Sequence, residues 1–592
     1  MMASRKSKSG GKPPPRKAPS CTRQGGIRRL LGAGSLLFIF ALSIRLLFLF
    51  DMSESPTFHV PVVDSFVYHQ AAVSLVRGQG FQDTFFFQPF FYPFFLSAVY
   101  AVSGVSILAA KLIQALIGAM TCVLVLQLGR RVFGKTAGLI AGLMAAVYSP
   151  LIFFESELLA TGPAAFESIA LVILFLKARE SRSPFFFFFF GLFCAICVLT
   201  RPTFLPVIVV GAAWLFICFF RSMPSRPAIV PLLGVALFGF LLPASAVAWI
   251  NREQTGHMGF LPSSSGLNFY LGNNSSYEET VNARMGSEWS ELLHLPEAAH
   301  VPDDDWSRSR FYWSQALEYA VSDPLDFASG MGRKALQIVS SREIPRNVDI
   351  YLFRKWSWML RCLLWKAGGF GFPFGLLFPL AMVGWFLNRR RIPFVLRMSL
   401  VVYSLSVVAV FVTARYRIPM IPLLAMLAAA GVTGAVQAIR EKRMKRISAA
   451  ALVLAGAVLL GTLPGPFVAE RMDYEAELHG CIGDSLRRSG RIDEAVEQFQ
   501  QAIRLDPGNA EALADLAQLY AARGEINGAV EACRAALKHK PGMIRAISNL
   551  GSLLSDQGNH DEAVRVCRQG LELRPHDAAL HFNLAKALAG KG

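Results

Sequence analysis

Long apolar runs, each closed by a short polar or basic stretch, recur from residue 30 to residue 465. The first is Leu30 to Phe50, "LLGAGSLLFIFALSIRLLFLF". Others fall at about 107–128, 136–154, 228–249, 370–387 and 447–465, with further runs on both sides of "TRPTF" and of "ARYRIP". A run of roughly 18–22 apolar residues crosses a bilayer as a helix, because no other open structure satisfies its backbone there. The pattern predicts an all-α, polytopic membrane domain of about eleven spans over 28–470. Two polar stretches interrupt it, at about 51–106 and 250–369. The aromatic stretch 85–104 is broken by Pro89 and Pro93 and reads as interfacial helices rather than a span.

From about residue 475 the periodicity changes. Gly490, Gly524 and Gly558 are 34 residues apart, as are Ala495, Ala529 and Ala563, and Pro507, Pro541 and Pro575. A 34-residue period with a small residue at the helix crossing and Pro at the repeat end is the tetratricopeptide pattern. "GRIDEAVEQFQQAIRLDP" carries one full statement of it. Residues 475–592 are therefore expected to form an α-solenoid whose concave face binds a protein or peptide, or which serves oligomerisation or stability.

Charge orients the spans. Arg28 and Arg29 abut the first run, which places the N-terminus inside. Walking along eleven spans then puts "GRRVFGK", "KARESR", "RSMPSR", "NRRR" and "REKRMKR" inside as well. Reading 85–104 as a span would reverse all of them. The same walk puts Asp64 and the repeats on one outer face. The run at 30–50 is too long for a signal-peptide core and is expected to remain as an anchor. Residues 1–27 are basic, Pro/Gly-rich and expected to be disordered.

A hydrophobic fraction of 53% excludes a soluble globular chain. The net charge of +18 would suit nucleic acid, but its basic residues sit in short clusters between apolar runs, so membrane lipid, and no nucleic acid, is the expected partner. Cys194 and Cys197 form a CxxC inside an apolar run, where packing is the expected role, and no zinc spacing or disulfide framework appears. The six phenylalanines at 185–190 read as lipid-facing bulk, and Asp303 to Asp305 as a solvated patch.

The polar groups next to spans on the outer face carry the chemistry. They are Asp64 and His69, Glu155 and Glu157, Arg201, and Arg415 and Arg417. Such groups are unfavourable at span mouths unless solvated, paired or functional. A carboxylate there can take the proton of a hydroxyl, and arginines can hold a phosphate by paired hydrogen bonds. Most also have a plainer reading. Asp64 can be a solvated loop residue, Glu155 and Glu157 can cap the helix that follows, and Arg415 and Arg417 can be interfacial anchors.

The pieces "VVDSFVYHQAAVSLVRGQGF", "QPFFYPFFLSAVYAVSG", "GRRVFGK", "FFESELLATG", "TRPTFL", "SGLNFYLGNN" and "ARYRIPMIPLL" resemble, in order, membrane glycosyltransferases of the GT-C superfamily, close to bacterial relatives of the protein O-mannosyltransferases. The resemblance covers about residues 28–465. It implies a polyprenyl- or dolichyl-phosphate-sugar donor, transfer on the outer face, inversion at the sugar, and a catalytic acid in the first outer loop. That acid is Asp64; the second acidic site matches Glu157, with Glu155 nearby. Arg415, Arg417 and Arg201 are the candidate phosphate ligands. A divalent metal is left open. This chain departs from the family's paired Asp-Glu, having Asp64-Ser65, which puts mannose and a protein acceptor in question. The expected location is a bacterial inner membrane with the site on the periplasmic side. A polysaccharide polymerase or ligase, or a non-enzymatic scaffold built around the repeats, are the alternatives.

Overall fold

The computed structural model describes residues 23–81, 87–222, 229–284, 286–463, 465 and 467–592. Of the expected disordered tail, residues 1–22 lie outside the described residues, and the chain is helical from Arg23.

The first half is α1 (Arg23–Asp51), α2 (Asp64–Val76), α3 (Phe91–Ser103), α4 (Ile107–Phe133), α5 (Lys135–Ala146), α6 (Ser149–Ser156), α7 (Thr161–Glu180), α8 (Pro184–Thr200), α9 (Leu205–Ser222) and α10 (Ile229–Thr255). Local chemistry sets the ends. Ser106 caps α4 by accepting from the Ala109 N–H at 3.2 Å, and Gly134 at φ 101° ends it behind Arg130 and Arg131. Pro184 opens α8 with Ser183 as its cap. Gly78 and Gly80, at φ 70° and 75°, turn the chain back after α2 as the "VRGQGF" stretch requires.

The polar segment that follows holds α11 (Ser265–Leu271), α12 (Tyr277–Val281), α13 (Ser287–Ala298), α14 (Asp305–Ser322), α15 (Pro324–Val339) and α16 (Trp358–Leu363). A small antiparallel hairpin of β1 (Trp365–Ala367) and β2 (Phe370–Phe372) leads back to α17 (Phe374–Asn388), α18 (Phe394–Val408), α19 (Ala414–Arg417), α20 (Ile421–Arg440) and α21 (Met444–Thr462). Lys334 of α15 locks this segment down. Its fully buried ammonium donates to the Gly272 and Val410 carbonyls and to Asn273 Oδ1, and burial pushes its pKa down to about 7. Asn273 and Asn274 are thus buried scaffold.

Within the bundle, α1, α5 and α7 pack on α4, α8 on α10, and α17 on α20. Arg45 of α1 donates to Glu155 of α6 at 2.7 Å, both almost fully buried. Gly118 of α4 makes room for them, since a Cβ there would fall 2.4 Å from the Glu155 carboxyl.

Among the described residues, seven helices are long and apolar enough to cross a membrane, or eight if α5 and α6, bent by 51°, count as one span. The other three expected spans form α8, α17 and α18, which are apolar but only 17, 15 and 15 residues long. At 1.5 Å per residue a 15-residue helix reaches about 22 Å, short of a hydrocarbon core of about 30 Å. Length and composition therefore do not establish the count of eleven. The Phe run at 185–190 is also not uniformly lipid-facing. Phe187 and Phe190 are buried, while Phe185 and Phe189 are exposed.

The C-terminal part is a stack of helix pairs: α22 (Tyr474–Arg488) with α23 (Ile492–Leu505), α24 (Ala510–Ala522) with α25 (Ile526–His539), α26 (Ile544–Asp556) with α27 (His560–Leu573), and a last helix, α28 (Ala578–Lys591). The period-34 residues explain it. Gly490, Gly524 and Gly558 take φ of 76°, 78° and 81° at the turn inside each pair, a left-handed conformation that glycine adopts without strain. Ala495, Ala529 and Ala563 are fully buried where the two helices cross. Cys533 and Cys567 are buried at equivalent positions. The stack sits against the polar segment through Glu511, which accepts from the Ser287 N–H at 2.8 Å, and through Lys355 and Glu475.

Candidate active site

Asp64 opens α2 directly after an unusual backbone position. Val63 has φ 51° and ψ −120°, a left-handed conformation that a β-branched residue avoids. Strain of this kind persists where the surroundings hold it, and it clusters at functional sites. Here it turns the chain so that Asp64 leads the helix into a cavity. The Asp64 carboxylate pairs with the Arg415 guanidinium, and Oδ1 also accepts from Gln88 Nε2 at 3.4 Å.

Arg415 lies on α19, a single turn between α18 and α20. The Ala414 N–H donates to the Ile344 carbonyl at 2.8 Å, which ties this turn to the stretch 344–347 of the polar segment. Arg346 on that stretch stands over the Phe411 ring at 4.3 Å. Three segments distant in sequence thus bring one carboxylate and two guanidiniums together. Burial alone would raise the Asp64 pKa, but Arg415, helped by Arg346 and Arg201, holds the carboxyl below its ordinary value.

Two cavities meet here. A small one of about 60 Å³ is lined by Asp64, Glu157, Arg346 and Arg415. A larger one of about 610 Å³ shares Asp64, Arg346 and Arg415 and extends past Gln88, Asn268 and Tyr312 to Asp484 and Arg488 of the first repeat.

The structure separates the six residues given candidate roles from sequence. Asp64, Glu157 and Arg415 share a cavity wall. Glu157 caps the end of α6, and burial raises its carboxyl pKa, partly offset by Lys111. Gln114 fixes its backbone, donating to the carbonyls of both Glu155 and Glu157 at 2.8 Å while accepting from the Tyr92 hydroxyl at 2.5 Å. Glu155 itself faces the other way and is consumed by Arg45. Arg417 is not brought to the cavity. Its guanidinium is buried against Glu343 at 2.7 Å and donates to the Ser340 and Arg342 carbonyls. Successive positions on one helical turn point about 100° apart, so Arg415 and Arg417 cannot both face the same side. Arg201 lies one layer behind, bonded to Thr161 at 2.9 Å with its guanidinium 4.9 Å from the Tyr416 ring.

Sequence reasoning missed Arg346 and Gln88. Arg346 stands in an irregular stretch with no periodicity to give its direction. Gln88 precedes Pro89 in the quoted "QPFFYP" piece, a polar residue in an aromatic tract that could have been flagged. The acids at 303–305 are used locally. Asp304 caps α14 and pairs with His257 at 3.0 Å, and Asp303 pairs with Arg308. For a divalent metal the donor set does not fit: no group of three or more His, Cys, Asp or Glu is placed for one among the described residues, and the Asp64 carboxylate is engaged by Arg415.

Residues 87–249 match the dolichyl-phosphate-mannose-protein mannosyltransferase family, and residues 482–544 and 544–574 match tetratricopeptide repeats. No curated protein matches the chain. Among solved structures, the apo oligosaccharyltransferase of Archaeoglobus fulgidus is 16% identical over 74% of this chain and 57% of its own, with a TM-score of 0.36. The archaeal oligosaccharyltransferase AglB from the same organism, in complex with an inhibitory peptide and a dolichol-phosphate, is 14% identical over 79% of this chain and 59% of its own, with a TM-score of 0.38. The first tetratricopeptide domain of Spaghetti, bound to an HSP90 peptide, is 22% identical over 20% of this chain and 92% of its own, with a TM-score of 0.19. The chain is an integral membrane protein whose residues 87–249 are similar to this mannosyltransferase family and whose C-terminal part carries tetratricopeptide repeats.

Proposed function

We propose that this protein is an inverting glycosyltransferase. It moves a sugar from a polyprenyl-phosphate-linked donor to an acceptor hydroxyl on the outer face of the membrane, and its repeats recruit a protein partner or the acceptor. The observation that carries the reading is the Asp64–Arg415 pair in the wall of a cavity that also holds Arg346 and Glu157.

The pair accounts for how one site handles both substrates. The phosphate-linked end of the donor competes with Asp64 for Arg415, because a guanidinium binds a phosphate in a bidentate fashion. Arg346 adds a second cation. Once Arg415 is engaged, Asp64 loses the charge that held its pKa down and becomes a better base. The acceptor oxygen then attacks the anomeric carbon as Asp64 takes its proton. The bond from that carbon to the phosphate oxygen breaks, and the electron pair leaves with the polyprenyl phosphate, stabilised by the guanidiniums. One displacement inverts the anomeric centre. Glu157, on the same wall, accepts a hydrogen bond from the acceptor.

The test uses the purified full chain in nanodiscs with a panel of polyprenyl-phosphate hexoses. The expected result is release of polyprenyl phosphate and, by NMR of the product, a linkage of inverted configuration. Retention of configuration, or consumption of none of the donors, would overturn the proposal.

A further inference from the structure

We infer that α22, the first helix of the repeat domain, forms one wall of the acceptor site, and that Arg488 on it selects polypeptide acceptors bearing a carboxylate side chain next to the accepting hydroxyl. The inference rests on the glycosyl transfer proposed above and adds which part of the chain chooses the acceptor.

The cavity geometry is the first observation. The cavity of about 610 Å³ is lined by Asp64 and Arg415 and also by Asp484, Ser485 and Arg488. Part of its wall is therefore repeat domain, alongside residues of the polar segment such as Asn268 and Tyr312. A second cavity of about 140 Å³ runs along α22, α24 and α26 and is lined by Gly480, Asn509, Asp515 and Arg545. The two share Val63, Asp484 and Arg488. They form one trough that leads from the base along the inner face of the repeats. From Arg488 back to Glu477, α22 measures about 16 Å at 1.5 Å per residue, the length of about five extended residues.

Contact at the junction is direct. The Arg488 guanidinium stands 5.9 Å from the ring of Phe66, two residues past Asp64 on α2.

Charge gives the preference. Asp484 is shared by two guanidiniums, Arg487 at 2.6 Å and Arg488 at 2.8 Å, so cations outnumber the carboxylate they pair with at this end of the trough. Further along, Arg545 is shared by two carboxylates, Asp515 at 2.5 Å and Glu511 at 2.9 Å, so the excess there is negative. Arg487 and Arg545 line the trough beside Glu511 and Asp515. An extended polypeptide suits such walls, because its side chains can alternate in charge along the trough. An acidic residue beside the hydroxyl meets the cationic end.

The experiment uses the full chain in nanodiscs, a polyprenyl-phosphate hexose donor, and a library of peptides with one central Ser or Thr and Glu, Lys or Ala at each flanking position. Glycopeptides are counted by mass spectrometry, with an alkyl glycoside as a non-peptide acceptor in a parallel arm. The wild type is expected to favour Glu on one side of the hydroxyl. In Arg488→Glu the ratio of Glu to Lys peptides should shift by at least about fivefold toward Lys, the scale of one partly exposed charge contact. Arg488→Gln should flatten the preference without reversing it. Arg488 is half exposed, so these changes leave packing intact. An unchanged ratio in Arg488→Glu would overturn the inference, as would transfer to the alkyl glycoside with none to any peptide. Donor consumed by neither acceptor nor water would instead overturn the glycosyl transfer on which it rests.

Discussion

Asp64 and Arg415 stand 351 positions apart in the chain and form an ion pair in the wall of a cavity. In the resting protein each neutralises the other. The carboxylate is held below its ordinary pKa, and the guanidinium is occupied. In the proposed mechanism a phosphate entering the cavity would exchange partners with Asp64, and donor binding and base activation would become one event.

Arg415 and Arg346 are expected to form the phosphate clamp. Arg415→Ala and Arg346→Ala should each weaken donor binding by about 10- to 100-fold, the loss of a charge-assisted contact. Arg415→Lys should recover only part of it, because an ammonium lacks the bidentate fork. Titration of the labelled donor into nanodisc-held protein measures this, and unchanged affinity in both alanine variants would contradict the clamp.

The exchange of partners has a pH signature. In the free enzyme Arg415 depresses the Asp64 pKa, so the base form persists as pH falls and is lost only below the ordinary aspartate value of about 4. With donor bound, the pKa rises and protonation occurs at higher pH. The acid limb of kcat should therefore lie above that of kcat/KM, since the first reports the complex and the second the free enzyme. Coincident limbs would argue against the exchange.

Arg417 should behave as a structural residue. It and Glu343 are buried together, and removing one partner of such a pair typically costs about 3–5 kcal/mol. Arg417→Ala should lower the thermal stability and yield of the protein in detergent, while the folded fraction keeps wild-type donor affinity. A specific loss of donor affinity at unchanged stability would return Arg417 to the site.

The contrast between Arg415 and Arg417 shows what the sequence could and could not tell. The tetratricopeptide repeats were fully legible, because Gly490, Gly524 and Gly558 each serve a local turn and recur at a fixed period. The helical membrane domain was legible for the same reason, since each span is a local apolar run. Asp64 and Arg415 could be named as candidates from their place beside spans. Their pairing could not, because it depends on how α19 and the stretch 344–347 close over α2. Which of two arginines two positions apart faces the cavity is a matter of helix phase, and "ARYR" carries no pattern that sets it. Arg346 was invisible for lack of any periodic neighbour. The wall contributed by Arg488 arises from contact between domains, which neither domain's repeat pattern encodes.

Sidedness has its own test. Arg488 and Phe66 lie close together, so the repeats and Asp64 share a face. A periplasmic-active reporter fused after Gly592 should be active and a cytoplasmic-active one silent, as the basic clusters predict. The reverse pattern would place the site and the repeats inside.

The central claim is that Asp64 is the general base. Asp64→Asn keeps the size and the Gln88 contact but removes the basicity. The decisive measurement is single-turnover transfer by folded Asp64→Asn protein, saturated with the lipid donor and an acceptor. The account predicts a rate about 10²–10⁴ below wild type with donor still bound. A rate within a few-fold of wild type would show that Asp64 only pairs with Arg415 and that the proton leaves by another route.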